Sequence, residues 1–144
     1  MSGNINLSDG FKEVTINNDP NRVIRINPSD IGLIKRFEEA SPKIEALIEK
    51  YGEVKEELPI EEIAKITSEI DAEARKQLDY IVGAPVADTA FGTANCLSLA
   101  GGQTIFENFL EAYVSYMEPV VKSEYKKSRQ RVSKYTSQAK RIKK

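Results

Sequence analysis

From Phe11 to Asn27 polar and apolar residues alternate along the chain. Phe11, Glu13, Thr15 and Asn17 fall on one side and Lys12, Val14 and Ile16 on the other, and the run from Arg22 to Asn27 carries Val23, Ile24 and Ile26. A period of two is the period of a strand. Between the runs, Asn18-Asp19-Pro20-Asn21 has turn-forming side chains and a proline of fixed φ. The pattern predicts a β-hairpin, and because two strands alone are marginal in water its apolar face must lie on helices. Residues 1–10 are polar and without period, which predicts a disordered or loosely attached terminus.

Beyond Asn27 the period lengthens to three or four. Asn27-Pro28-Ser29-Asp30 is a helix start, since Ser29 or Asp30 can accept from the unpaired amides of a first turn. Ile31, Ile34, Phe37, Ile44, Leu47, Ile48 and Tyr51 then hold one helical face. Pro42 follows the cap residue Ser41, so the expectation is two helices, over 30–40 and 42–51, the second closed by Gly52. A charged connector, Glu53 to Leu58, leads to Pro59 and a long helix with a narrow stripe: Ile60, Ile63, Thr67, Ile70, Ala74, Leu78 and Ile81. It should end near Gly83, before Pro85. Val86 to Phe91 reads as one or two turns stopped by Gly92, with Phe91 as an anchor. Gly101-Gly102 reverse the chain, and a helix starting at Gln103 or Thr104 carries Ile105, Phe106, Phe109, Leu110, Tyr113, Tyr116 and Met117 on one face. That stretch, 83–121, is expected to be the wall against which the rest packs.

After Pro119 the chain changes character. Val121, Tyr125, Ser128, Val132, Tyr135, Ala139 and Ile142 form one apolar line if the helix continues, flanked by Lys122, Lys126, Arg129 and Lys140. Pro119 removes the bond to the carbonyl of Ser115 and is a place for a kink. A line one residue wide belongs to a solvated extension or a docking helix. The expected fold class is therefore mainly α (α+β): an N-terminal β-hairpin packed on a small bundle of about four helices, with a basic C-terminal helical arm. The boundaries are 1–10, a single domain over 11–121, and the arm over 122–144.

Charge sharpens the division. The net charge is −1, yet residues 119–144 hold ten Lys or Arg and one acid, Glu124, leaving the arm at +9 and the rest at −10. With no histidine and one cysteine, Cys96, the commonest general base and a thiol-rich metal site are both absent. Cys96 reads as a small buried hydrophobe, the glycines as chain reversals rather than a phosphate cradle, and the Glu and Lys residues of the helices as a solvated face. No catalytic, cofactor or metal residues emerge. Without a signal peptide or a membrane-length apolar run, the expected compartment is the cytoplasm.

The order RINPSDIGLIKRFEEA, DYIVG, FGTANCLSLAGG, FENFLEA and RVSKYT resembles the small tail assembly chaperones of the siphoviruses and prophages of Gram-positive bacteria. The resemblance covers residues 11–137 and falls on Asn27, Pro28, Asp30, Phe37, Gly83, Phe91, Gly92, Phe109, Leu110, Arg131, Val132, Lys134 and Tyr135; the segment CLSLAGGQT is richer in small residues than the family pattern. It implies a non-catalytic protein of the host bacterial cytoplasm that keeps the long helical tape-measure protein soluble and helps recruit tail-tube protein, with room for self-association. The partner-binding residues expected on the arm are Tyr125, Lys126, Arg129, Arg131, Val132, Lys134 and Tyr135. Two other readings stand beside it: nucleic-acid binding through the arm, with Tyr125 and Tyr135 stacking on bases, and a minor structural subunit of the tail. The acidic body weighs against nucleic acid.

Overall fold

The computed structural model describes residues 2–142, with side chains described through residue 131. Its elements run β1 (Lys12–Ile16), β2 (Asp19–Ile26), α1 (Gly32–Gly52), α2 (Ile60–Val82), α3 (Ala87–Phe91), β3 (Leu99–Ala100), β4 (Gln103–Thr104) and α4 (Ile105–Ile142). The fold is an antiparallel hairpin on a small helical bundle, with α4 carrying on past the body as the arm.

The hairpin turns earlier than its proline implies. Asn17 and Asn18 both adopt positive φ, 53° and 57°, which a two-residue hairpin turn matched to strand twist requires. Ile16 consequently lies opposite Asp19, and Asp19-Pro20-Asn21 belongs to β2 instead of the turn. Register shifts between Thr15 and Ile16, and proline, lacking an N–H, is tolerated at such irregularities. Val14 pairs with Ile24, and Ile24 and Ile26 are buried against the helices.

A second difference is α1, which is one helix through Pro42 rather than two. Pro42 is exposed, so the carbonyl of Glu38 that it leaves unpaired can be hydrated at little cost. Asp30 does serve the helix start, its Oδ1 accepting the Gly32 N–H at 2.9 Å. That bond leads the causes that hold its carboxyl below the usual carboxylate range, with Arg36 adding to it.

The wall of the molecule is the C-terminal half of α2, where Ile70, Ala74, Gln77, Leu78, Ile81 and Val82 are all buried. The stretch 83–121 faces it with Val86, Ala87, Phe91, Cys96, Phe106 and Tyr113, all buried, so the core is shared between α2 and that stretch and is not walled by α4 alone. The stripe of α2 is used from its middle onward; Ile60 at its start is 83% exposed. Gly83 ends the helix at φ 81°, donating to Asp79 O at 2.8 Å.

Arginines on the body bind the main-chain carbonyls that helix ends and loops leave open. Arg36 donates to Ile81 O at 3.1 Å and to Asp30 at 2.9 Å, fastening the start of α1 to the end of α2. Arg22 donates to Thr89 O and Ala90 O, joining β2 to α3. Arg75 reaches Asp71 at 3.1 Å, Asp88 at 2.9 Å, Gly92 O at 2.9 Å and Ala94 O at 2.6 Å. Asp71 in turn accepts the Cys96 N–H at 2.7 Å.

Phe91 anchors the turn region as its position predicts. Its ring centroid lies 6.4 Å from Phe106 and 6.1 Å from Phe109, the latter edge-on. Cys96 is fully buried beside this cluster, and burial pushes its thiol up to about 12. Gly101 and Gly102, at φ 67° and 89°, turn β3 into β4. Thr104 then caps α4, accepting the Glu107 N–H at 3.1 Å and donating to its carboxylate at 2.9 Å.

Phe91→Ala removes an aromatic ring from the middle of this cluster and should cost about 3–5 kcal/mol in urea unfolding. Phe109→Ala, at a half-buried position, should cost visibly less. Arg75→Met takes the cation from the part-buried Asp71 carboxylate and unties the Gly92 and Ala94 carbonyls, which water can reach, for an expected loss of about 1–2 kcal/mol. Arg75→Lys should recover only a small part, since an ammonium cannot fork to these partners. The acid side of the stability profile follows from Asp30 and Asp71. Burial pushes the Asp71 carboxyl up, but the Cys96 amide and Arg75 outweigh it, so both groups are lowered. The folded state therefore binds fewer protons than the unfolded state through the carboxylate range. Stability should be fully present above that range and fall as pH drops through the lowered values, and Asp71→Asn should flatten the fall.

Candidate partner-binding surface

Two helices with more apolar surface than the core can take leave a groove between them. On α1, Leu33, Ala40, Ile44 and Leu47 turn toward the body, with Ala40 fully buried. Ile31 and Ile34 are each 70% exposed and Phe37 is half exposed. The sequence reading placed Ile31, Ile34 and Phe37 on a packing face. In the fold they lie at and beyond the edge of that face, because α2 meets α1 along the Ala40 side.

On α4 the counterpart is Leu110, Val114, Met117, Val121 and Tyr125, spaced by three or four along one side. An open cavity of about 540 Å³ lies between the helices, lined by Leu33 and Phe37 of α1, Leu110, Tyr113 and Val114 of α4, and Ile81 of α2. A second concavity farther along is lined by Ser29, Ile31, Val121, Glu124, Tyr125 and Ser128. Phe37 thus accompanies Leu110 and Val114 while Ile31 accompanies Val121 and Tyr125, so α1 and α4 run antiparallel, with an apolar trough at the first hollow and a more polar one farther along. The Tyr113 hydroxyl in its wall is buried and has no hydrogen-bond partner among the described residues. Burial, first of all, raises its pKa.

Of the expected arm residues, Tyr125, Lys126, Arg129 and Arg131 are exposed on α4, with Tyr125 at 57%. Tyr125, Lys126 and Arg129 border a shallow hollow together with Lys122 and Gln130. The side chains of Val132, Lys134 and Tyr135 lie outside the described residues. The structure adds what the arm alone lacked: Tyr125 also borders the body, through Ile31 and Ser29. The residues that carried the family resemblance divide by role. Phe37 and Leu110 line the trough, Asp30 and Gly83 lie against Arg36 at the helix ends, Asn27 donates to Asp9 O in the segment before β1, and Phe91 and Phe109 pack on each other.

The α1 wall was missed as a site because Ile31, Ile34 and Phe37 have the same spacing as core residues. A usable signal was present. Seven large apolar residues spread over more than a third of the helix circumference exceed what one neighbouring helix covers.

Comparison with protein-family models, curated proteins and solved structures finds no match to this chain. Among the described residues, no helix is long and apolar enough to cross a membrane.

If the trough is open surface, Phe37→Ser and Val114→Ser should change the melting temperature by no more than about 2–3 °C each, within the range of exposed substitutions. Dye binding to exposed apolar surface should fall in both. A drop in melting temperature like that of Phe91→Ala would show that the trough is covered in solution, by closure of the two helices on each other or by a second chain.

Proposed function

We propose that the protein is a non-catalytic tail assembly chaperone of a bacterial virus, acting in the host cytoplasm on the tape-measure protein and promoting assembly of the tail tube. The observation that carries the reading is the apolar trough between α1 and α4, continuous with a helix that runs past the body. A long helical client exposes amphipathic segments before it is encased, and a trough of this form shields such a segment from aggregation. Glu38, Glu111 and Glu118 around the trough and the lysines of the arm keep the rest of the surface charged. The resemblance over residues 11–137 supports the same client class. Chemistry is not required of any residue in this reading.

Phe37→Asp with Val114→Asp places two carboxylates in the trough while both positions stay wet enough to spare the fold. Co-expressed with the tape-measure protein, the wild type should keep it soluble and the double variant should leave it in the pellet, with unchanged circular dichroism. Client solubility unaffected by the double variant would sink the trough as the binding surface. The nucleic-acid reading predicts a different result. Binding to duplex DNA would survive the double variant and weaken with salt, by roughly 0.9 in log K per phosphate neutralised for each decade of salt.

A further inference from the structure

The apolar side of α4 does not end with the body. Leu110, Val114, Met117, Val121, Tyr125, Ser128, Val132, Tyr135, Ala139 and Ile142 recur by threes and fours through the helix, which is the seam of a coiled coil. Reversed end for end, the line falls on itself. Leu110 comes level with Ile142, Val114 with Ala139, Met117 with Tyr135, Val121 with Val132 and Tyr125 with Ser128.

Charge follows the same reversal. Between 105 and 121 the charged residues are Glu107, Glu111 and Glu118; between 122 and 142 there are eight Lys or Arg and Glu124. Two such helices laid parallel would set bases on bases. Antiparallel, they bring Glu118 level with Lys134 and Glu111 level with Arg141. In the same register Arg129 comes level with Glu124, while near the twofold Lys122 stands level with Arg131 and Lys126 with Lys127, so the attraction is carried by the Glu111, Glu118 and Glu124 pairs.

We propose that two copies of this chain pair through antiparallel α4 helices, the arm of each lying in the α1–α4 trough of the other. A chain cannot do this alone. The part of α4 beyond Val121 extends about 31 Å in a continuous helix, at 1.5 Å per residue, and does not turn back onto its own body. The reciprocal arrangement is closed and twofold, with each +9 arm against a −10 body. It covers Phe37, Leu110, Val114, Val121 and Tyr125 at once. The dimer stands on register and charge and is independent of the client reading. A tape-measure segment that enters the trough would displace the arm.

Sedimentation of the full chain, without client, is the first test. The expected species has twice the 16.1 kDa chain mass and dissociates as salt is raised. Glu111→Lys with Glu118→Lys should weaken it about tenfold or more, and adding Lys134→Glu with Arg141→Glu should restore most of the loss. Register is read by cysteines: Val121→Cys mixed with Val132→Cys should give a disulfide-linked pair, and Val121→Cys alone should not. Circular dichroism and melting establish that each variant folds. A monomer at concentrations of about 100 μM would overturn the proposal, placing any association in the millimolar range. So would efficient cross-linking of Val121→Cys to itself, or a charge reversal that the second pair of substitutions does not rescue. Because client is absent throughout, any of these results leaves the chaperone reading standing, and loss of that reading leaves the dimer standing.

Discussion

The grip of Asp71 and Arg75 on the loop after α3 is the constraint on which the body depends. One turn of α2 supplies both residues, and together they hold Gly92 O, Ala94 O, the Cys96 N–H and the Asp88 carboxylate. The loop has no regular structure of its own; Gly92 and Ala94 are exposed, but the Cys96 N–H lies at the core and would be unpaired without Asp71. With these groups satisfied, Cys96 can be fully buried, Phe91 is set over the Arg75 guanidinium at 5.7 Å, and α4 starts where Phe106 reaches Phe91. A fork with several donors on a rigid helix is suited to this, because it orders main chain from two sides.

The same device recurs at the other end of α2. Arg36 binds Asp30, Ile81 O and Val82 O, which fixes where α1 begins relative to where α2 ends. Asp79 accepts the N–H groups of Val86 and Ala87 at 2.9 and 2.8 Å and starts α3. Pinned at these points, α1 and α4 flank α2 without closing over it. The trough is therefore a consequence of how the helix ends are tied, and its apolar walls are held open by contacts some distance away.

Acidic body, apolar trough and basic arm form one connected design. Like charge on two bodies repels, whereas in the proposed pairing each basic arm meets the other chain's acidic body. The apolar line on α4 continues in sequence from a trough wall into the arm, which is what the proposed pairing uses. Such a surface can be covered by a second copy or by a helical client, and the exchange between these is a physical route to delivering a client only when it is present.

Much of this fold is legible in the residues themselves. Alternation over 11–27, the glycines at 83, 92 and 101–102, and the stripe from Ile70 to Ile81 lead to the hairpin, the helix ends and the central helix, because these depend on local φ and on period. The arm and its charge are legible for the same reason. Three features were decided only by the tertiary structure. Asn17-Asn18 takes the turn from Pro20, since both asparagines adopt the positive φ of a two-residue turn and a register shift after Thr15 reconciles that turn with the pairing of Val14 and Ile24. Pro42 stays inside α1, since its side of the helix faces water. Ile31 and Phe37 line the hollows beside α4 and Ile34 stays exposed, since spacing along a helix states which residues share a face and not whether another element arrives to cover it.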